Sequence, residues 1–168
     1  MAENKSSSKV TIKRIGGYLH KVTPIIDSTG KVIHSIVTPF QVELKPRDLL
    51  QIIVGAYLLC VPVAFTEEVW VLSEELPMEN ILYIALMSVF FISCFIYYNF
   101  YRFNIKGHVF EYIKRIVATY GLSLLAVGLF LTVIMKCPWG VDNLLAIKRI
   151  LLVAFPASMA ATLSDTIK

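Results

Sequence analysis

The sequence predicts an all-α membrane protein, a four-transmembrane-helix bundle with a small N-terminal β-hairpin segment. Three observations lead there. Hydrophobic residues make up 57% of the 168 positions and the mean hydropathy is +0.68, whereas a soluble domain is about 45–50% apolar. The apolar residues gather in blocks long enough to cross a bilayer. Eight of the 16 Lys and Arg lie before position 48, ahead of the first block. A net charge of +4 in that arrangement points to membrane orientation and anionic headgroups, not to nucleic acid.

Residues 1–9 are polar and read as a disordered tail. Residues 10–45 read as a cytoplasmic β segment. Val22–Ile26 and Val32–Val37 are rich in β-branched side chains, and Asp27-Ser28-Thr29-Gly30-Lys31 between them is a run of turn formers. Val22-Thr23-Pro24 recurs as Val37-Thr38-Pro39. Proline donates nothing to a ladder, so both copies are expected at strand edges or starts. A lone hairpin is marginal in water. A third strand near Phe40–Leu44, a neighbouring subunit or the membrane face is expected to cover it.

Residues 46–168 then hold four spans, expected at 49–72, 80–101, 110–135 and 144–165. The first apolar block follows 48 mostly polar residues, so it reads as an uncleaved span. Pro46 suits a first helical turn and Asp48 the positive end of the helix dipole. Leu49–Thr66 carries no charge for 18 residues, about 27 Å of helix. Pro62 is expected to kink the first span and Pro156 the fourth. Tyr97, Tyr98, Phe100 and Tyr101 form an interfacial belt at the end of the second. Glu111 and Arg115, one turn apart before the third, are expected to pair. Lys148 and Arg149 are expected to snorkel from the start of the fourth.

Charge orients the spans. The loop between spans two and three and its flank carry Arg102, Lys106, Lys114 and Arg115. The loop between spans one and two carries Glu67, Glu68, Glu74, Glu75 and Glu79 and no basic residue. The positive-inside rule therefore predicts a multi-pass cell-membrane protein with both termini cytoplasmic, against the counter-signal of Lys136, Lys148 and Arg149.

No motif for chemistry stands out, and the chain is not expected to be an enzyme. Cys60, Cys94 and Cys137 lack CxxC spacing, and His20, His34 and His108 are scattered. Neither a disulfide framework, a metal site nor a cofactor is expected. The candidate ion-binding residues are Glu68, Glu67, Thr66 and Asp165. The glutamates interrupt an apolar run, where a carboxylate must be paired, neutral or facing water. The alternative places them in the headgroup layer with Trp70 as anchor. Five outer glutamates are either a solvated loop or, repeated around an axis, an acidic mouth for cations. In the fourth span Ala154, Ser158 and Thr162 recur every fourth residue, as do Ala157, Ala161 and Asp165. Such stripes pack helices within a subunit or line a face between copies. Gly55-Ala56, Gly121 and Gly128 fit the same logic. Asp48 precedes Pro62 by fourteen residues and Asp142 precedes Pro156 by fourteen, which would suit an inverted repeat.

Gly55-Ala56, Pro62 and the run Thr66-Glu67-Glu68-Val69-Trp70 resemble the first-span signature, Thr-x-Glu-Val-Trp, of a family of small prokaryotic integral membrane proteins of unknown function. The resemblance covers mainly residues 46–79, with a weaker likeness near Phe155–Asp165. It implies a bacterial or archaeal membrane protein and adds no activity. It favours Glu68 over Glu67. Two functions follow as expectations. One is an oligomeric cation channel or transporter with an acidic outer mouth, whose partners are the lipid bilayer, further copies of the chain and a cation. The other is a non-transporting anchor or scaffold that presents the N-terminal β segment to a partner.

Overall fold

The computed structural model describes residues 11–15, 18–27, 32–39, 44–102 and 108–167. It divides into two compact units, Met1–Glu43 and Leu44–Lys168.

The first unit is an antiparallel sheet, β1 (Thr11–Ile15), β2 (Tyr18–Ile26) and β3 (Val32–Pro39), in the order β1-β2-β3. The hairpin expected from the sequence is β2–β3, with Val22 opposite Val37 and Thr23 opposite Ile36. The sheet has a third strand. It comes from Thr11–Ile15, which pairs Thr11 with Val22, while residues 40–43 lie outside the described residues, as do the expected tail and turn tip. Pro24 sits in the central strand, opposite Ser35 of β3 and past the last described β1 pair, Thr11 with Val22. Pro39 ends β3, where a missing donor costs little.

The second unit is helical, with α1 (Pro46–Ala64), α2 (Glu67–Glu75), α3 (Met78–Ile96), α4 (Val109–Val133) and α5 (Asn143–Thr166). A single π-turn, Tyr97–Tyr101, continues α3. Four helices are long and apolar enough to span a membrane: α1, α3 with its π-turn, α4 and α5.

The first span is shorter than expected, and local chemistry explains it. Proline at 62 leaves the helix without one donor. The last turn then tightens: the Phe65 and Thr66 amides donate to the carbonyls of Pro62 and Val63, three residues back, at 3.3 and 3.1 Å. Thr66 turns extended and α2 begins. Glu67 and Glu68 fall in its first turn, where the helix dipole favours negative charge. Val69–Leu72, which read as a continuation of the span, belongs to this separate helix. Pro156 lies inside α5 without ending it.

α1 and α5 make the most extensive helix pairing in the bundle. It depends on small side chains. A Cβ on Gly55 would lie 2.5 Å from the Ser164 Cβ, 2.8 Å from the Ala160 carbonyl oxygen and 2.8 Å from the Ala161 Cα. Ala154, Ala157, Ser158, Ala161, Thr162 and Asp165 are all buried. The stripes of α5 are therefore spent inside the subunit, as close packing in lipid requires. The matched Asp–Pro spacing has no structural counterpart. Asp142 is the N-cap of α5 while Asp48 sits three residues into α1, and Pro62 is near a helix end whereas Pro156 is mid-helix.

Candidate functional site

Three spans bring charged side chains to one end of the bundle. Asp48 lies in the first turn of α1, where its Oδ2 accepts from the Lys45 amide at 3.1 Å. Asp165 lies in the last turn of α5. Arg115 projects from the second turn of α4 between them. Its Nε and Nη2 donate to the two oxygens of Asp165 at 2.8 and 2.9 Å, a two-pronged pairing. Nη2 also reaches Asp48 Oδ2 at 3.3 Å. The guanidinium stacks over Phe100 with its carbon 3.8 Å from the ring centroid. Arg115 is 0% exposed, Asp165 1% and Asp48 2%. Charge so deeply enclosed survives only when paired and hydrogen-bonded.

The surroundings of this cluster are polar for several turns. On α4, Thr119 and Ser123 follow Arg115 at four-residue intervals and are wholly buried, so they share its inward face. On α5, Thr162 and Ser158 run inward from Asp165 and are also buried. Beyond them the core turns apolar, with Ala126, Val127, Leu131, Val153, Ala154, Cys60 and Ala64 in one cluster. Beside the π-turn, Tyr101 packs edge-on to Tyr112 with centroids 5.2 Å apart, and Tyr112 bonds to Ser93.

The opposite end is built differently. Arg149 donates to Glu74 at 2.7 Å, to the Lys136 carbonyl at 2.7 Å and to Ser73 at 3.3 Å. Lys148 donates to the Leu76 carbonyl at 2.7 Å. Lys136 and Arg149 both lie 5.3 Å from the Trp70 ring centroid. Lys148 and Arg149, expected to snorkel from the start of α5, instead tie α2 to the bundle. Burial pushes the Cys137 thiol up, against a bond to Thr132 and the charge of Arg149, so it stays protonated.

Of the expected site residues, Thr66, Glu67 and Glu68 sit together at the α1–α2 break and are exposed. Glu68 lies in the first turn of α2. Asp165 is at the other end, a full span away, held by Arg115. The expected Glu111–Arg115 pair is corrected. Glu111 has Lys114 at 3.8 Å, while Arg115 turns inward to the two aspartates. Among the described residues no three His, Cys, Asp or Glu gather as metal ligands. Sequence reasoning missed the cluster because Arg115 read as an interfacial charge. The usable signal was level: the start of span one, the start of span three and the end of span four fall on one side of the membrane, and each carries a charge of the sign its partner needs.

The model of a family described as "Putative integral membrane protein (DUF2391)" matches residues 23–164. Neither a curated protein nor a solved structure matches the chain.

Proposed function

The chain belongs to this integral membrane family, and from that premise we propose that it is a transport protein for a small cation, with the Asp48–Arg115–Asp165 cluster closing one end of the path. One observation carries the reading: the charged cluster and a train of buried hydroxyls lie inside the subunit. The outward faces of the spans are apolar at mid-membrane, with Val54, Leu58, Leu86, Phe90, Leu125 and Leu129 exposed. A pore around an axis between copies would be lined by those residues and would stay dry. The path therefore runs within the bundle, shut by the apolar half of the core. Glu67, Glu68, Glu75 and Glu79 form the acidic mouth at the far end, attracting cations by their field.

The test is flux of potassium, calcium and protons into liposomes, comparing wild type, Glu68→Gln and protein-free vesicles. Wild type should conduct, and the variant should slow entry from its own side while folding normally. If wild type matches empty vesicles for every ion, transport is wrong and the anchoring reading takes its place. That second reading has its own support in β3, where Val32, Ile33, Ile36 and Val37 are 45–66% exposed on an edge strand without charge.

The loop charges favour one orientation, which can be tested. The positive-inside rule places the charged cluster at the cytoplasmic face and α2 outside. A reporter inserted at Gly30 or fused after Lys168 is expected to read cytoplasmic, and one at Glu75 external. A cytoplasmic signal at Glu75 would invert the assignment.

A further inference from the structure

Resting on the transport reading above, we propose that the species moved is the proton, relayed through the buried hydroxyl row with Thr119 as its indispensable link. Thr119 is 0% exposed and its Oγ1 has no hydrogen-bond partner among the described residues. Gln51 Oε1 and Tyr120 OH are buried and unsatisfied in the same way, and both lie in the same half of the bundle. Gln51 is one turn from Asp48, and Thr119 and Tyr120 are about one turn beyond Arg115. A buried hydroxyl without a partner is costly, and lipid offers nothing to satisfy it. Thr119 Oγ1, on the inward face that also carries Arg115 and Ser123, is accounted for by water, which bonds otherwise unsatisfied groups in protein interiors.

The hydroxyls beside them suit a relay. Ser123 donates to the Thr119 carbonyl at 2.7 Å, Thr162 to the Ser158 carbonyl at 2.7 Å and Ser158 to the Phe155 carbonyl at 3.0 Å. Each hydroxyl oxygen keeps lone pairs that accept. In a relay step an oxygen takes a proton on a lone pair and releases its own hydrogen to the next oxygen or water. Bonds made equal bonds broken, and no electrons change owner.

A metal ion fits the same place poorly. The carboxylates at the entrance are engaged by Arg115, and the described residues offer no cluster of three acidic, cysteine or histidine ligands. Calcium takes six to eight oxygens at about 2.3–2.6 Å. Every hydroxyl of the row is at most 3% exposed, so an ion with part of its shell enters only if the helices part. Within the hydroxyl row a proton needs only an oxygen and no added volume, whereas the apolar half of the core must open for either species.

The experiment uses purified full chain in liposomes containing a pH-sensitive dye, with potassium and valinomycin clamping the potential. Wild type, Thr119→Val and Thr119→Ser are compared under an imposed pH gradient. Valine keeps the shape and removes the hydroxyl, so its melting temperature should equal or exceed that of wild type. Proton flux should fall about tenfold or more in Thr119→Val, the scale of losing a proton-transfer group, and stay within about twofold in Thr119→Ser, which restores the hydroxyl. Wild-type proton flux retained in a folded Thr119→Val protein overturns the inference. Wild type that carries potassium or calcium but no protons also overturns it and leaves transport standing. Wild type that carries none of the three removes both.

Discussion

Replacing Arg115 by leucine is expected to destabilise the helical unit by about 3–5 kcal/mol, the usual cost of removing one partner from a buried charge pair. Asp165 and Asp48 would lose a guanidinium placed 2.8–3.3 Å away, in a region where their burial is essentially complete. Arg115→Lys keeps the charge but loses the two-pronged contact and the flat face on Phe100, so an intermediate loss is expected. Unfolding in detergent, followed by helical signal, measures both. A double-mutant cycle separates the pair from its surroundings. Arg115→Leu with Asp165→Asn should cost less than the two single changes summed, because the second change removes the charge that the first left stranded. Additive losses would show that the arginine and Asp165 do not depend on one another, and a fully stable Arg115→Leu protein would show that the cluster does not hold the spans together.

Gly55→Ala is the second large effect. The new methyl would enter space already filled by Ser164 and by the backbone at Ala160 and Ala161, all within 2.8 Å. Backbone does not step aside as a flexible side chain does, so α1 and α5 must separate. Overpacking of this kind costs about 1–3 kcal/mol. Gly121→Ala is the matched control. Nothing lies within 4 Å of its added Cβ, and the better helix former should leave stability unchanged or raised by up to about 1 kcal/mol. Equal melting temperatures for Gly55→Ala and wild type would mean that the close crossing is not required.

Much of the fold could be read in advance, because lipid imposes a simple rule. Spans two, three and four are long apolar stretches with charge only near their ends, and helices long and apolar enough to cross a membrane occupy them. The first span was overread for a physical reason: Val69, Trp70, Val71 and Leu72 look like more membrane helix, and only the tightened turn after Pro62 shows that they belong to α2. β1 was missed because Thr11–Ile15 mixes two apolar side chains with a lysine and an arginine, too short a pattern to stand out. The cluster was hidden for a deeper reason. An arginine at a span boundary reads the same in sequence whether it snorkels to water or turns inward, and the choice rests on partners 67 and 50 residues away along the chain. Asp165 was legible as a polar end to a small-residue stripe, but its partner was not. The orphan hydroxyl of Thr119 had no sequence signal, since a buried threonine usually finds a helix carbonyl.

The pairing of α1 with α5 sets a timetable for biosynthesis. The first span leaves the ribosome carrying Gly55 and Asp48, yet the surface that covers Gly55 lies on α5, more than 100 residues further along the chain. At about 5–20 residues per second, the wait is on the order of ten seconds. Through that interval α1 stands in the bilayer with a bare glycine face and a carboxylate whose cationic partner on α4 arrives midway, and an insertion chaperone or protease that patrols nascent spans would meet it in that state. Folding of the unit is therefore gated by completion of α5, and changes that slow synthesis between Arg115 and Asp165 should be felt as lost yield before they are felt as lost stability.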